Sequence, residues 1–156
     1  MEDPKPLTSV AEFHRTFHHP IVASPGIPVK KRCDLRISLL REELDELEAA
    51  VEDRDLVEVA DALCDLQYVL SGAILEFGMG DKFKTLFDEV QRSNMSKSCK
   101  TEEEAKQTVA FYKDHHDTEC HYEESDGHYL VYRSADHKTI KSINYSPAAL
   151  RKILED

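Results

Sequence analysis

Two short acidic runs carry the chemistry that this sequence offers. The first is Glu42-Glu43-Leu44-Asp45-Glu46; the second is Glu58-Val59-Ala60-Asp61, followed one helical turn later by Asp65. On a helix, residues three and four apart share a face, so Glu43 and Glu46 point together, as do Glu58, Asp61 and Asp65. If the chain folds back near Arg54, Glu46 and Asp61 fall at comparable distances from the turn, and so do Glu43 and Asp65. With a rise of about 1.5 Å per residue these pairs arrive at matching heights. Four or five carboxylates then converge beside the groove between two helices.

Such a group is unfavourable without a cation, because like charges at short range raise one another's pKa. An all-oxygen, all-anionic set suits a hard divalent ion, Mg²⁺ or alternatively Mn²⁺, which keeps water and accepts phosphate oxygens as further ligands. Glu-rich helix faces are most often solvated surface, and that reading stands beside the metal one. Two features favour the metal. The carboxylates adjoin the apolar seam of both helices, and the stretch from Glu58 to Asp65 contains no basic residue to neutralise it. A di-iron carboxylate bundle competes less well. It uses Glu-x-x-His on its helices, and neither long helix carries a histidine.

The elements that must position these residues follow from the hydrophobic pattern. Val10 to His18 reads as a short helix with Ser9 as a candidate cap, and the proline-rich stretch from His19 to Pro28 reads as a loop. Cys33 to Asp53 is amphipathic, with Ile37, Leu40, Leu44, Leu47 and Val51 expected inward. Leu56 to Phe77 repeats the pattern through Val59, Leu63, Leu66, Leu70 and Phe77. The brief connection at Asp53-Arg54-Asp55 favours antiparallel neighbours, and Gly78 and Gly80 end the second long helix. Asp81 to Asn94 predicts another helix. Thr101 with Glu104 forms a capping box for a helix running to about Asp114. Beyond it, Glu119 to Glu124 and His128 to Ser134 flank Ser125-Asp126-Gly127 as a β-hairpin. Lys138 to Ile143 reads as a third strand or a tail, and Ser146-Pro147 opens a terminal helix to Leu154. The fold class is therefore mainly α: an antiparallel helical bundle with a small C-terminal β-hairpin. It is read as one domain over residues 1–156, with a helical core over about 10–114 and the hairpin and short helix over about 119–154.

Bulk properties narrow the function. The chain has 156 residues and a formal net charge of −11, which argues against a DNA or RNA polymer as partner. A nucleotide substrate stays compatible, because a metal offsets acidic ligands locally. Cys33, Cys64, Cys99 and Cys120 form no C-x-x-C pair, so a zinc ribbon is not expected, and a reduced, cytoplasmic setting is the simplest reading. Met1 to Leu7 lacks the apolar core of a signal peptide, and no run is long enough to span a membrane. His14 and His18 have a spacing that can hold zinc, but packing is the better reading for them; one of these histidines, His19 or Phe17 would line a base pocket. The apolar stripes on several helices predict a homodimer or homotetramer.

The pattern E-E-x-x-E followed after a gap by E-x-x-D resembles the signature of the MazG-like all-α nucleotide pyrophosphohydrolases, to which phosphoribosyl-ATP pyrophosphohydrolase and the dimeric dUTPases are related. The continuation from Asp61 to Tyr68 is similar to that family's second metal helix. The segment Arg92 to Lys97 and the tail from Lys138 to Pro147 resemble one subgroup, with Ile143 standing where that subgroup has proline. The resemblance implies that Glu43, Glu46, Glu58 and Asp61 bind Mg²⁺, with Asp65 as an additional candidate. It implies catalytic roles for Glu42 and Glu46, with Glu42 a ligand or the general base. Asn94 and Lys97 would contact sugar and phosphate, and Lys141 and Tyr145 would close over the phosphates. The implied reaction is hydrolysis of a nucleoside triphosphate between its α- and β-phosphates. A helical dimer that binds metal or nucleotide without turnover, and a purely structural oligomer, remain as competing readings.

Overall fold

The computed structural model describes residues 4–155. Met1, Glu2 and Asp3, part of the polar N-terminal stretch read above, and Asp156 lie outside the described residues. The chain divides into two compact units, Met1–Phe83 and Lys84–Asp156.

The first unit holds three helices. Helix α1 (Pro6–Thr16) starts earlier than the apolar pattern predicts and takes in Ser9. Pro6 explains the early start: its fixed φ and missing N–H suit the first turn of a helix, where no intrahelical donor is needed. Helices α2 (Lys30–Asp53) and α3 (Leu56–Glu76) pack against each other. Arg54 ends α2 in the left-handed region, and its N–H reaches the carbonyls of Ala50 and Val51. Asp55 then starts α3: its carboxylate accepts from the backbone N–H groups of Val57 at 2.9 Å and Glu58 at 3.3 Å. Stop and cap are thus adjacent residues, which turns the chain back on itself and makes α2 and α3 antiparallel.

The α2–α3 seam differs from the sequence expectation. Ala50, Ala62 and, half-buried, Leu39, Leu40, Leu47, Val59, Leu66 and Val69 occupy the covered side. Ile37, Leu44 and Val51 on α2, and Leu63 and Leu70 on α3, are exposed, Leu44 at 54% and Leu63 at 52%. These residues fall seven apart, as does Leu56 from Leu63. A seven-residue repeat marks a stripe along one face of a helix. The apolar pattern therefore contains two stripes, one spent inside the chain and one left uncovered.

Helix α1 lies on α3, with Val10, Ala11 and Leu75 as the buried cluster. Beneath this contact sits a polar centre. Glu76 is 1% exposed. Its carboxylate accepts from Arg32 Nε at 2.9 Å and also from the Arg32 and Arg36 Nη2 groups. Arg36 Nη2 also lies 3.2 Å from His14 Nε2, and His14 Nδ1 lies 2.8 Å from the Pro20 carbonyl. The carbonyl can only accept, so Nδ1 carries the proton and Nε2 accepts from the arginine. Burial and the Arg36 charge outweigh the carbonyl bond and hold His14 below its usual pKa. Burial alone would raise the Glu76 pKa, but the bonds from Arg32 and Arg36 prevail and lower it. Gly72 makes room for this centre: a Cβ there would lie 2.6 Å from Arg36 Nη1. The loop from Phe17 to Val29 is pinned to the end of α3 by Val22 N to Leu75 O and Gly26 N to Phe77 O, both at 3.0 Å. Gly78, with φ of +69°, lies so close to the Ser24 carbonyl that a Cβ would approach it to 1.9 Å.

The second unit contains α4 (Phe83–Met95, whose first residue closes the first unit), α5 (Glu102–His116), β1 (Cys120–Ser125), β2 (His128–Arg133) and α6 (Leu150–Glu155). Thr101 caps α5 through Glu104 N, while the Glu104 carboxylate accepts from Lys100 N rather than closing the box on Thr101 itself. The strands pair antiparallel, with Ser125 opposite His128. Asp126 and Gly127 between them both have positive φ, the geometry of a type I′ turn. Cys99, Ala105 and Val131 are the buried centre, packed by Val109, Cys120, Tyr122, Tyr129 and Ile140. The predicted third strand is reduced to one bridge, Thr139 to Tyr132. The tail then turns away, with Ser142 N bonded to the Lys97 carbonyl and Ile143 N to Thr108 Oγ1. Helix α6 begins later than Ser146-Pro147 predicts, because the carbonyls of both residues accept from Arg92, and Ala149 N donates to Glu89.

Replacing Glu76 by Ala leaves two arginines without their buried counter-ion. The expected loss is about 3–5 kcal/mol of unfolding free energy, read by urea denaturation; a loss within 0.5 kcal/mol would contradict the role given to this carboxylate (~0.5 kcal/mol being typical of surface changes).

Candidate metal and nucleotide site

The antiparallel α2–α3 pair puts the acidic runs side by side. Glu46, Glu58 and Asp61 line a depression of about 490 Å³ near the turn, together with Asp53, Asp55, Ala49, Ala50 and Ala62. Farther from the turn, Glu43 and Asp65 line a cavity of about 300 Å³. The two groups are electrostatically continuous. Burial is the first cause of a raised Glu43 pKa, and the charges of Asp65, Glu46, Glu42 and Asp61 each raise it further. Glu43 is half-buried; Glu42, Glu46, Glu58, Asp61 and Asp65 are exposed. Among the described residues no ion pair reaches any of these six. Elsewhere on the surface, acidic groups such as Asp34, Asp88, Glu89 and Asp136 do have cationic partners. The α2–α3 row is therefore a run of negative charge that the chain leaves uncompensated.

The donor set fits Mg²⁺: all oxygen, all anionic, with no soft ligand. Among the described residues, no three carboxylates of the row bring ligand oxygens within 4.8 Å of one another. An open arrangement of this kind suits an ion that retains several waters and takes phosphate oxygens.

The cavity beside Glu43 and Asp65 is built from different material. Phe13, His14, His19 and Tyr68 contribute rings, and Val10, Leu35, Leu39 and Val69 apolar surface. Phe13 packs edge-on to Tyr68 with centroids 5.6 Å apart, and stacks on His19 at 5.7 Å. Phe17 lies against Phe13 but is 59% exposed and does not line the cavity. His14 belongs to the polar centre with Arg36, so both of its nitrogens are engaged and the His14–His18 spacing does not describe a zinc pair.

Residues 10–94 match the profile of the phosphoribosyl-ATP pyrophosphohydrolase family. The chain belongs to that family, within the MazG-like all-α superfamily. An uncharacterized protein of Acanthamoeba polyphaga mimivirus is 33% identical over 95 residues, which take in 57% of this chain and 37% of the viral protein. The chain thus corresponds to little more than a third of that relative's length. No helix among the described residues is long and apolar enough to cross a membrane.

The other candidate residues lie in the second unit. Lys97 Nζ donates to Asn94 Oδ1 at 2.8 Å. Lys141 Nζ lies 4.4 Å from the centre of the Tyr145 ring, and the Tyr145 hydroxyl accepts from Ser93 Oγ at 3.0 Å. These are two local pairs within one unit. Sequence reasoning missed the buried Glu76 centre and the cavity members Phe13 and Tyr68. Glu76 did give a signal: it is the lone charge in the apolar run from Val69 to Phe77.

The uncompensated row predicts a trade of stability for binding. Glu43→Gln removes repulsion and a partly desolvated charge. The metal-free protein is expected to melt about 2–4 °C higher, the shift that roughly 1 kcal/mol gives a chain of this size, and added Mg²⁺ is expected to raise the melting temperature of the wild type but not of the variant. A lower melting temperature in the metal-free variant would count against repulsion within the row.

Proposed function

We propose that the chain is a Mg²⁺-dependent nucleoside triphosphate pyrophosphohydrolase that cleaves between the α- and β-phosphates to release a nucleoside monophosphate and pyrophosphate. One observation carries the proposal: Glu43, Glu46, Glu58, Asp61 and Asp65 form a row without cationic partners beside an aromatic-lined cavity. A polyanionic guest approaches such a row only with metal between them, and the cavity offers ring faces to a base. Family membership points the same way.

Glu43, Glu46, Glu58 and Asp61 would hold the ion, with Asp65 as an additional ligand and Mn²⁺ as an alternative metal. The ion, when bound, polarises phosphoryl oxygens and acidifies coordinated water. Glu42 or Glu46 takes the proton from the attacking water. That water adds to the α-phosphorus, and the bond to the bridging oxygen breaks as pyrophosphate leaves. Phe13, His19 and Tyr68 would hold the base. Contacts from Asn94, Lys97, Lys141 and Tyr145 to sugar and phosphate belong to the proposal on the family resemblance alone. A pyrophosphate-release assay over a panel of NTPs and dNTPs is expected to show Mg²⁺-dependent turnover, lowered at least about 100-fold by Glu46→Ala or Asp61→Ala with far-UV circular dichroism unchanged. Unaltered turnover in either variant would sink the site assignment. Nucleotide-induced thermal stabilisation without pyrophosphate release would favour a binding module instead.

The uncovered stripe of Ile37, Leu44 and Val51, with Leu56, Leu63 and Leu70, supports a homodimer or homotetramer in which a second copy covers it. Changing both Leu44 and Leu63 to Lys is expected to give a monomer by sedimentation velocity; a wild-type chain already monomeric at the same concentration would overturn this.

A further inference from the structure

We propose that the hairpin of the second unit carries a separate site for a borderline divalent transition ion, Zn²⁺ above all, formed by His121, Glu123 and His137. Among the described residues these three form the one group of histidine, cysteine or acidic side chains whose ligand atoms all lie within 4.8 Å of one another. The site belongs to the second unit, the acidic row of α2 and α3 to the first, and the two differ in chemistry: two imidazoles and one carboxylate favour zinc, whereas an all-oxygen row favours magnesium.

The hairpin places the ligands. His121 and Glu123 are two apart on β1, so their side chains leave the same face. Tyr132 is the cross-strand partner of His121, and its ring is the platform on which His137 stacks, with centroids 4.0 Å apart and planes at 15°. The His121 and His137 rings are themselves 5.6 Å apart and near parallel. His137 reaches this position through a left-handed backbone, with φ of +56°, in a turn closed by its N–H on the Arg133 carbonyl. A non-glycine residue rarely adopts that conformation without a reason, and Asp, Asn and His are the types that tolerate it best.

The donor atoms are available. His121 Nδ1 lies 3.3 Å from Ser134 Oγ. A proton on Nδ1 donated to that hydroxyl leaves Nε2 bare, the arrangement in which an outer hydrogen bond fixes the tautomer of a metal-binding imidazole. His121 Nε2 is 3.6 Å from Glu123 Oε1. That is long for a hydrogen bond but close to the roughly 3.4 Å edge of a tetrahedron with bonds of about 2.0–2.1 Å. The ring nitrogens of His137 have no hydrogen-bond partner among the described residues. Arg133, opposite Cys120 on β2, is held by Asp136. Three protein ligands on an exposed surface leave a fourth position for water. A bound ion would join β1 to the turn after β2, and would anchor the start of the tail that carries Lys141 and Tyr145.

Isothermal titration of ZnCl₂ into the full chain, in a buffer with excess Mg²⁺ to occupy the acidic row, tests this directly. Wild-type protein is expected to bind zinc, and His121→Ala and His137→Ala are each expected to weaken that binding by about tenfold or more; His115→Ala, which removes another exposed imidazole, serves as the control and leaves it unchanged. All three positions are exposed, and far-UV circular dichroism checks that the variants fold. The cysteines are free and offer zinc a rival home, so histidine ring NMR spectra provide the second readout: zinc is expected to shift the His121 and His137 resonances before the others. Equal zinc affinity in wild type and both variants, no zinc binding at all, or first shifts at other histidines would each overturn the proposal. Because neither readout involves nucleotide turnover, failure here leaves the reading of the acidic row untouched, and the reverse holds as well.

Discussion

The first unit is organised around a charge that must not be left alone. Glu76 sits at the end of α3 with almost no contact with solvent, and a bare carboxylate there would cost several kcal/mol. Arg32 and Arg36 answer it from one face of α2, one turn apart, and Arg36 passes the contact on to His14 of α1. One carboxylate therefore fixes the rotation of α2 about its axis and the approach of α1. The same rotation presents Glu43 and Glu46, farther along α2, towards the acidic face of α3. Packing of Val10, Ala11 and Leu75 supplies burial, but apolar contacts tolerate sliding in a way that bidentate bonds do not.

The two charged systems of this unit obey opposite logic. At Glu76, cations are built in and the carboxyl is held below its usual pKa. Along Glu43, Glu46, Asp61 and Asp65, cations are withheld and the Glu43 carboxyl is pushed up. Residues of the same type are thus used as a structural tie in one place and as a store of unrelieved repulsion in the other. Only the second arrangement gains from an external cation. That contrast, rather than acidity as such, separates this row from a glutamate such as Glu89, which already has Arg92 beside it.

Local rules made much of this legible in the sequence. The short connection at Asp53-Arg54-Asp55, Thr101 as cap and the hairpin turn around Ser125-Asp126-Gly127 depend on residues within a few positions of one another, so spacing reveals them. The pairing of the acidic runs was equally accessible, since it follows from helix rise and one turn. What depends on distant partners was not. The side chains expected inward at Ile37, Leu44 and Leu63 are exposed, because two apolar stripes run along the same helices and periodicity does not say which faces the sister helix. Lys138 to Ile143 has strand-like alternation but leaves the sheet after one bridge, drawn off by Lys97 and Thr108. The Glu76 centre needs Arg32, Arg36 and His14 from two other helices; the lone charge in an apolar run marks Glu76 itself, but no local spacing names its partners.

The loop that joins α1 to α2 shapes how a guest would be received. Its Pro20 carbonyl and its Val22 and Gly26 amides are committed to His14, Leu75 and Phe77, and Pro20, Pro25 and Pro28 reduce the freedom it has to lose on folding. His19, on that loop, forms one wall of the ring-lined cavity. A ligand entering there meets a surface already in place, so little of its binding energy is spent on freezing protein. Discrimination between ligands there would fall to fixed shape, and a molecule that does not match the gap would gain nothing from the wall bending to meet it.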